Sequence, residues 1–465
     1  MMNQQDTICA IATAQGGAIG VIRVSGPDAI SITSKIFTPI NGVALKERRP
    51  YTLTFGKILS ADGEIIDEVL VSIFHSPHSY TGEDSTEISC HGSPYILQQV
   101  MCRLIECGCR SAQPGEYTQR AFLNGKIDLS QAEAVADLIA SSSEATHRLA
   151  MNQMRGGFSK ELSILRDKLL HLTSLMELEL DFSDHEELEF ADRTERTKIA
   201  NDMECVIARL ANSFSVGNVI KNGVPVAIIG ETNAGKSTLL NALLNEDKAI
   251  VSDIHGTTRD VIEDTINLNG ITFRFIDTAG IRHTTDIVEC IGIERTYQKI
   301  DQATIVLWLI DSDNNTDYNA LKKEILPHCK EKHLIILFNK CDKLSDNRHK
   351  ELSIAFDDVE ATQLYISAKH RIGLDELETH LIEAASLPDI SQNDVIVTNI
   401  RHYEALSRAL EAIHRAQEGI SINLPGDLIS EDLRECLLHL SEIIGGAFDA
   451  EDVLGNIFKN FCIGK

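Results

Sequence analysis

A chain of 465 residues, 43% hydrophobic and 24% charged, has the length and apolar content for roughly two to four domains with full cores. Its formal net charge of −26 excludes a protein that coats nucleic acid regardless of sequence, because that affinity comes from lysine and arginine displacing counterions. No run approaches about eighteen uncharged apolar residues, the opening MMNQQDTICA lacks the pattern of a secretory signal, and the 11 cysteines form no CxxC ladder, so a cytoplasmic chain with reduced thiols and no membrane span is expected.

From 7 to 124 the pattern is mixed α and β. Alternating apolar residues predict strands at 8–12, 19–24, 51–58 and 68–74, and a helix is expected over 94–107. Two polar stretches inside this region, SYTGED at 79–84 and PGEYT at 114–118, are loops of the kind that carry ligands, although composition alone favours ordinary turns. From 129 to 218 apolar residues recur three and four apart, as in Ala134, Leu138 and Ile139 or Leu165, Leu169 and Leu172, which predicts helices. Gly156 and Gly157 interrupt them, as does the acidic DFSDHEELEF run from Asp181, which reads as a solvated face rather than a metal site.

GETNAGKS at 230–237 fits the phosphate-binding loop pattern, with a buried-strand signal before it at 226–229 and a helix after it at 238–244. Such a loop turns backbone N–H groups toward phosphates. Asn233, Ala234, Gly235 and Thr238 would line it, Lys236 would bring a positive charge to the β and γ oxygens, and Ser237 would ligate Mg²⁺. Asp277-Thr278-Ala279-Gly280 follows a strand at 271–276, placing a carboxylate near the metal and a glycine N–H near the γ-phosphate. Asn339-Lys340-Cys341-Asp342 follows the apolar run 334–338. Asp342, an acceptor only, can take hydrogen bonds from the N1–H and 2-amino groups of guanine, a pair that adenine lacks. Ser367-Ala368-Lys369, after 363–366, completes a base-recognition set. Four such runs in order indicate a GTPase.

Ile281 stands where Ras-like proteins place the glutamine that orients the attacking water, so another device is needed. Asn233 offers an amide oxygen to a monovalent cation, which could take the part of an arginine finger. A switch-like loop runs through Ser252, Asp253, Ile254, His255, Gly256, Thr257, Thr258, Arg259 and Asp260. Thr258 is placed to join the Mg²⁺ shell, and Arg259 and Asp260 are catalytic candidates beside Lys236. Beyond the module, Leu387-Pro388 marks a boundary and helices are expected at 401–419, 430–444 and 451–458. Helical segments thus flank an inserted module, and periodicity leaves open whether they form one bundle or two.

IGVIRVSGP from Ile19, YTGEDSTEISCHG from Tyr80, PGEYTQRAFLNGKIDLSQAEAVADLI from Pro114, GTTRD from Gly256, DTAGIR from Asp277, VECIGIER from Val288 and the final CIGK together resemble the MnmE family, also called TrmE, of tRNA modification GTPases. The resemblance implies an α/β P-loop GTPase module (219–385) inserted in an all-α helical domain (126–218 and 386–465), preceded by an α+β, aminomethyltransferase-like folate-binding domain (1–125). That first domain would form a constitutive homodimer and bind 5-formyl- or methylene-tetrahydrofolate through Arg23, Glu83, Lys126 and Lys465. Asn233 with carbonyls of Ser252, Ile254 and Thr257 would hold K⁺, Glu289 would position the hydrolytic water, and Cys462 is a candidate reactive thiol.

The implied partner is an MnmG-like FAD protein, in a heterotetramer or larger complex that modifies the wobble uridine of certain tRNAs. Two positions depart from the pattern: Thr232, where many such loops have proline, and His255, where many have a small residue. The rival readings are a ribosome-assembly GTPase of the Era or Der kind and a GTP-timed scaffold. Neither a GxxG loop in a KH-like setting nor a second phosphate loop supports the former.

Overall fold

The computed structural model describes residues 6–14, 16–181, 193–231, 233–244, 264–276, 300–313, 318–385 and 395–445. These fall into two compact units, Met1–Ala136 with Gln153–Leu170 and Leu437–Lys465, and Asp137–Asn152 with His171–Cys436.

In the first unit the chain forms β1 (Ile8–Ile11), β2 (Ile19–Ser25), α1 (Ala29–Ile36), β3 (Phe37–Pro39), β4 (Leu53–Leu59), β5 (Ile65–Phe74), β6 (Ser85–His91), α2 (Pro94–Glu106), β7 (Arg110–Ser111) and α3 (Glu116–Leu123). The strands lie in the order β3-β4-β5-β6-β2-β1-β7, with β1 and β7 parallel and all other neighbours antiparallel. Alternation decides which face is buried: Val69, Val71 and Ile73 of β5 point into the core with Ile22 and Val24 of β2 and Ile88 of β6. Helix α2 closes that core with Leu97, Val100 and Leu104, spaced three and four apart, and starts at Pro94, whose fixed φ suits a first helical position. The other face of β4 and β5 leaves Leu53, Phe55 and Leu70 exposed, with Phe55 directly opposite Leu70.

The helical region contains α4 (Leu129–Ala140), α5 (Glu144–Met154), α6 (Gly157–Asp181) and α7 (Arg193–Asn222). Helix α7 runs into β8 (Val224–Gly230), followed by α8 (Lys236–Leu244), β9 (Asp264–Leu268), β10 (Ile271–Phe275), β11 (Ile305–Asp311), α9 (Tyr318–Ile325), β12 (His333–Asn339), α10 (Asp346–Ala355), β13 (Thr362–Tyr365) and α11 (Leu374–Ala385). The sheet order is β13-β12-β11-β8-β10-β9, parallel except for the β9–β10 hairpin. Helices on both faces explain why β11 and β12 are continuously apolar between their ends rather than alternating. Leu239, Leu240 and Leu243 of α8 and Leu377 and Leu381 of α11 belong to one core layer, Leu352 of α10 with Phe356 to the other.

The chain then forms α12 (Ile400–Ser421) and α13 (Gly426–Ile444). Helices α7 and α12 pack along their lengths: Phe214 stacks on Tyr403 at 4.7 Å and Gln417 donates to Asn201 at 2.9 Å. Helices from the two sides of the inserted module therefore pack together, which periodicity had left open. Ser213 Oγ accepts from the Val397 N–H at 3.0 Å, and Gly217 gives the close approach, since a Cβ there would lie 2.0 Å from the Val397 carbonyl oxygen. The expected helix at 451–458 and most of the acidic run from Asp181 lie outside the described residues.

Candidate functional site

Strand β8 delivers the chain to a turn that ends where α8 begins at Lys236, so the unpaired N–H groups and positive end of that helix face the loop. Asn233 takes a left-handed φ of 64° and Gly235 a φ of 101°. A Cβ on Gly235 would lie 2.3 Å from the Asn339 amide nitrogen, so only glycine fits. Ala234 is buried, and Lys236 Nζ donates to the Gly230 and Glu231 carbonyls at 2.6 and 2.9 Å, folding the ammonium back against the loop.

Asn339 ends β12 and is 3% exposed. Its Nδ2 donates to the Ala234 carbonyl at 2.7 Å and its Oδ1 accepts from the Ala368 N–H at 3.0 Å, so one amide ties the phosphate loop to the Ser367-Ala368-Lys369 loop. Ser367 exchanges backbone hydrogen bonds with Ile372 at 3.0 and 3.1 Å, and its Oγ donates to Asp342 Oδ1 at 2.6 Å. That hydroxyl, opposed by burial and helped by His370 and Lys343, holds the Asp342 carboxyl below its ordinary range. A carboxylate kept ionised is an acceptor only, as the paired N1–H and 2-amino donors of guanine require. Lys340, also left-handed at φ 65°, pairs with Asp311 at the end of β11, and Lys369 is exposed.

A second constellation lies in the N-terminal unit. Arg23 on β2 pairs with its register partner Glu87 on β6 at 2.8 Å, and its guanidinium lies 5.5 and 5.6 Å from the ring centres of Tyr80 and Tyr117. Tyr117 donates to the Arg23 carbonyl at 2.7 Å, and the Tyr80 and Thr118 hydroxyls meet at 2.8 Å, so the 79–84 loop meets the first turn of α3, which begins at Glu116 where a loop over 114–118 was expected. Glu83 accepts from Ser25 Oγ at 2.8 Å and from Arg120 at 3.1 Å. Arg120 also reaches Asp6 at 2.6 Å and Glu116 at 3.0 Å, while Arg110 binds the same two carboxylates at 2.7 and 2.6 Å. Burial pushes the Asp6 and Glu116 carboxyls up, but the two guanidiniums, with the Gln113 N–H on Glu116, leave both below their ordinary values.

Comparison with known proteins draws the two constellations into one family. A model described as the GTP-binding protein TrmE N-terminus matches residues 7–126, and one described as the MnmE helical domain matches 129–462. A tRNA modification GTPase MnmE from Phocaeicola vulgatus is 66% identical over the whole of both chains, and one from Bacteroides fragilis is 68% identical over 99% of this chain and 100% of its own. The chain belongs to the MnmE family of tRNA modification GTPases. Among solved structures, the G domain of the T. maritima FeoB iron transporter aligns with 35% of this chain and 99% of its own at 25% identity and a TM-score of 0.25.

Of the positions expected from the motifs, the structure gathers Asn233, Ala234, Gly235, Lys236, Ser237 and Thr238 at the β8–α8 turn, and links them through Asn339 to Asp342 and Ser367-Ala368. Residues 252–260 and 277–280, with Thr232, Glu289, Cys462 and Lys465, lie outside the described residues. Lys126 donates to the Pro77 carbonyl at 2.9 Å, and its stem borders Gly82 in the same loop as Tyr80 and Glu83. Arg23 and Glu83 do not pair: the carboxylate at Arg23 is Glu87, and Glu83 is turned to Ser25 and Arg120. Glu87 escaped the sequence reading because only the β2–β6 register places it opposite Arg23. Asp6 and Asp311 stood in no motif, and Arg120 lay in the PGEYTQRAFL run with no role assigned to it.

Proposed function

We propose that this MnmE-family chain is a K⁺-stimulated GTPase that works with an MnmG-like FAD protein to form the 5-carboxymethylaminomethyl or 5-aminomethyl group on the wobble uridine of certain tRNAs. The observation that carries the nucleotide half of this reading is the Asn339 amide, which joins a phosphate loop to a base loop as a purine nucleotide would need. Lys236 would meet the β and γ oxygens of GTP, Ser237 and Thr258 would ligate Mg²⁺, and Asn233 with carbonyls of Ser252, Ile254 and Thr257 would hold K⁺. Glu289 would position the water that a Ras-like glutamine holds elsewhere.

The folate half rests on the loops around Arg23. A cation against two tyrosine rings, with Glu87 beside it and Lys126 bordering the 79–84 loop, suits a flat heterocycle with a carboxylate tail, such as 5-formyl- or methylene-tetrahydrofolate. The exposed Leu53, Phe55 and Leu70 face supports a homodimer through the N-terminal domain, taken as 1–125, with helical segments 126–218 and 386–465 around the module 219–385. The α7–α12 packing would pass movement of the module to the helices. No described helix is long and apolar enough to cross a membrane.

The deciding experiment is mass spectrometry of wobble-position nucleosides in tRNA from cells lacking this chain, complemented with the parent or with Lys236→Ala. The modified uridine is expected to vanish in the deletion and return only with the parent. An unchanged nucleoside profile would hand the chain to ribosome-linked GTPases.

A further inference from the structure

Asp311 and Asn339 are register partners at the ends of parallel strands β11 and β12, which puts the Asp311 carboxylate beside the start of the Asn339-Lys340-Cys341-Asp342 run. Its Oδ2 holds the Lys340 ammonium, and its Oδ1 accepts the Asp313 N–H at 3.1 Å, so the carboxylate is fixed from both sides. The pair is sheltered, with side chains 14% and 32% exposed. Lysine is a mobile charge on a flexible four-carbon stem, and Lys340 stands two residues before Asp342 in the same run. A carboxylate that accepts from an ammonium has lost part of the capacity a guanine edge needs.

We propose that Asp311 is a positioning residue for guanine selection: it draws the Lys340 ammonium aside and keeps it from competing with guanine for the Asp342 carboxylate, which already accepts from Ser367 Oγ. The proposal rests on the reading of Asp342 as the base-selecting carboxylate. The test compares full-length variants for binding of GDP and IDP, each carrying a ribose-linked fluorophore, because the two bases differ only in the 2-amino group. In Asp311→Asn the preference for GDP over IDP shrinks by about tenfold, in line with a charge-assisted hydrogen bond to Asp342. Asp311→Glu, which keeps the charge, stays near the parent, and Asp311→Asn combined with Lys340→Met regains the preference even where affinity remains low. A preference in Asp311→Asn equal to the parent's overturns the proposal, since a merely loosened loop weakens both ligands alike. So does a double variant that stays at the Asp311→Asn value. A parent that binds IDP as well as GDP removes the reading of Asp342 itself, and the proposal with it.

Discussion

In the GTPase module, short runs at 230–237, 339–342 and 367–369 hold one another through backbone groups and a single buried amide, whereas the N-terminal constellation is assembled from charged side chains drawn from positions 6 to 120. The first arrangement joins its loops through the neutral Asn339 amide, while its charges, Lys236 and Asp342, meet neutral groups of those loops, the Gly230 and Glu231 carbonyls and the Ser367 hydroxyl. The second sets charges against one another: Asp6, Glu83 and Glu116 face Arg110 and Arg120. A neutral framework is insensitive to pH and fails when one hinge is removed. A charged one fails when any ion is left without its partners, and responds to pH.

The largest effect is expected at the hinge of the neutral framework. Asn339→Ala leaves the Ala234 carbonyl and Ala368 N–H without their shared partner, each at a cost of about 1–3 kcal/mol, so GDP affinity should fall by about a hundredfold or more. Titration with fluorescent GDP reads this directly. Binding within a few-fold of the parent would mean that the loops are held by something else.

The two regions also differ in how far the sequence exposed them. The module was legible because its chemistry is tied to local spacing: a glycine where Asn339 comes within 2.3 Å of a would-be Cβ, and runs placed directly after apolar strands. Strand ends and the β8–α8 turn fell within about two residues of expectation. The N-terminal constellation was not legible, because Arg23 meets Glu87 through strand pairing 64 residues away and Arg120 meets Asp6 across 114. Strand β6 was also not predicted, since Ser85, Thr86, Glu87, Ser89 and His91 leave only Ile88 and Cys90 as apolar residues in it. Periodicity sees faces, while partners come only with register.

A smaller effect, confined to the other region, follows from removing its central cation. Arg120 is 8% exposed and touches three carboxylates, so Arg120→Ala leaves Glu83 without its cation and Asp6 and Glu116 with Arg110 alone, and should destabilise the N-terminal unit by about 1–3 kcal/mol. The chain's single tryptophan sharpens the contrast, because Trp308 is buried in β11 and reports on the module alone. Hydrogen exchange should show lost protection of β2 and β6 amides in the variant, with Trp308 fluorescence and GDP affinity at the parent's values. Coupled loss of both signals would show that the regions do not act separately.

The smallest expected effect is a pH dependence carried by the same charges. Asp6 and Glu116 have folded-state values below their ordinary 3.8 and 4.5, because Arg110 and Arg120 more than offset the burial that would raise them. In the unfolded chain both carboxyls return to ordinary values, so on acidification the unfolded state takes up protons first. The stability they contribute is therefore complete above about pH 5 and is lost as pH falls through the depressed folded values. Denaturant midpoints of the N-terminal unit, followed by hydrogen exchange from about pH 6 to about pH 3, should drop across that window in the parent and drop less in Arg120→Ala, whose carboxylates have lost one of the cations that depress them. An equal drop in parent and variant would place the acid sensitivity on other carboxylates and remove the electrostatic half of the contrast between the two regions.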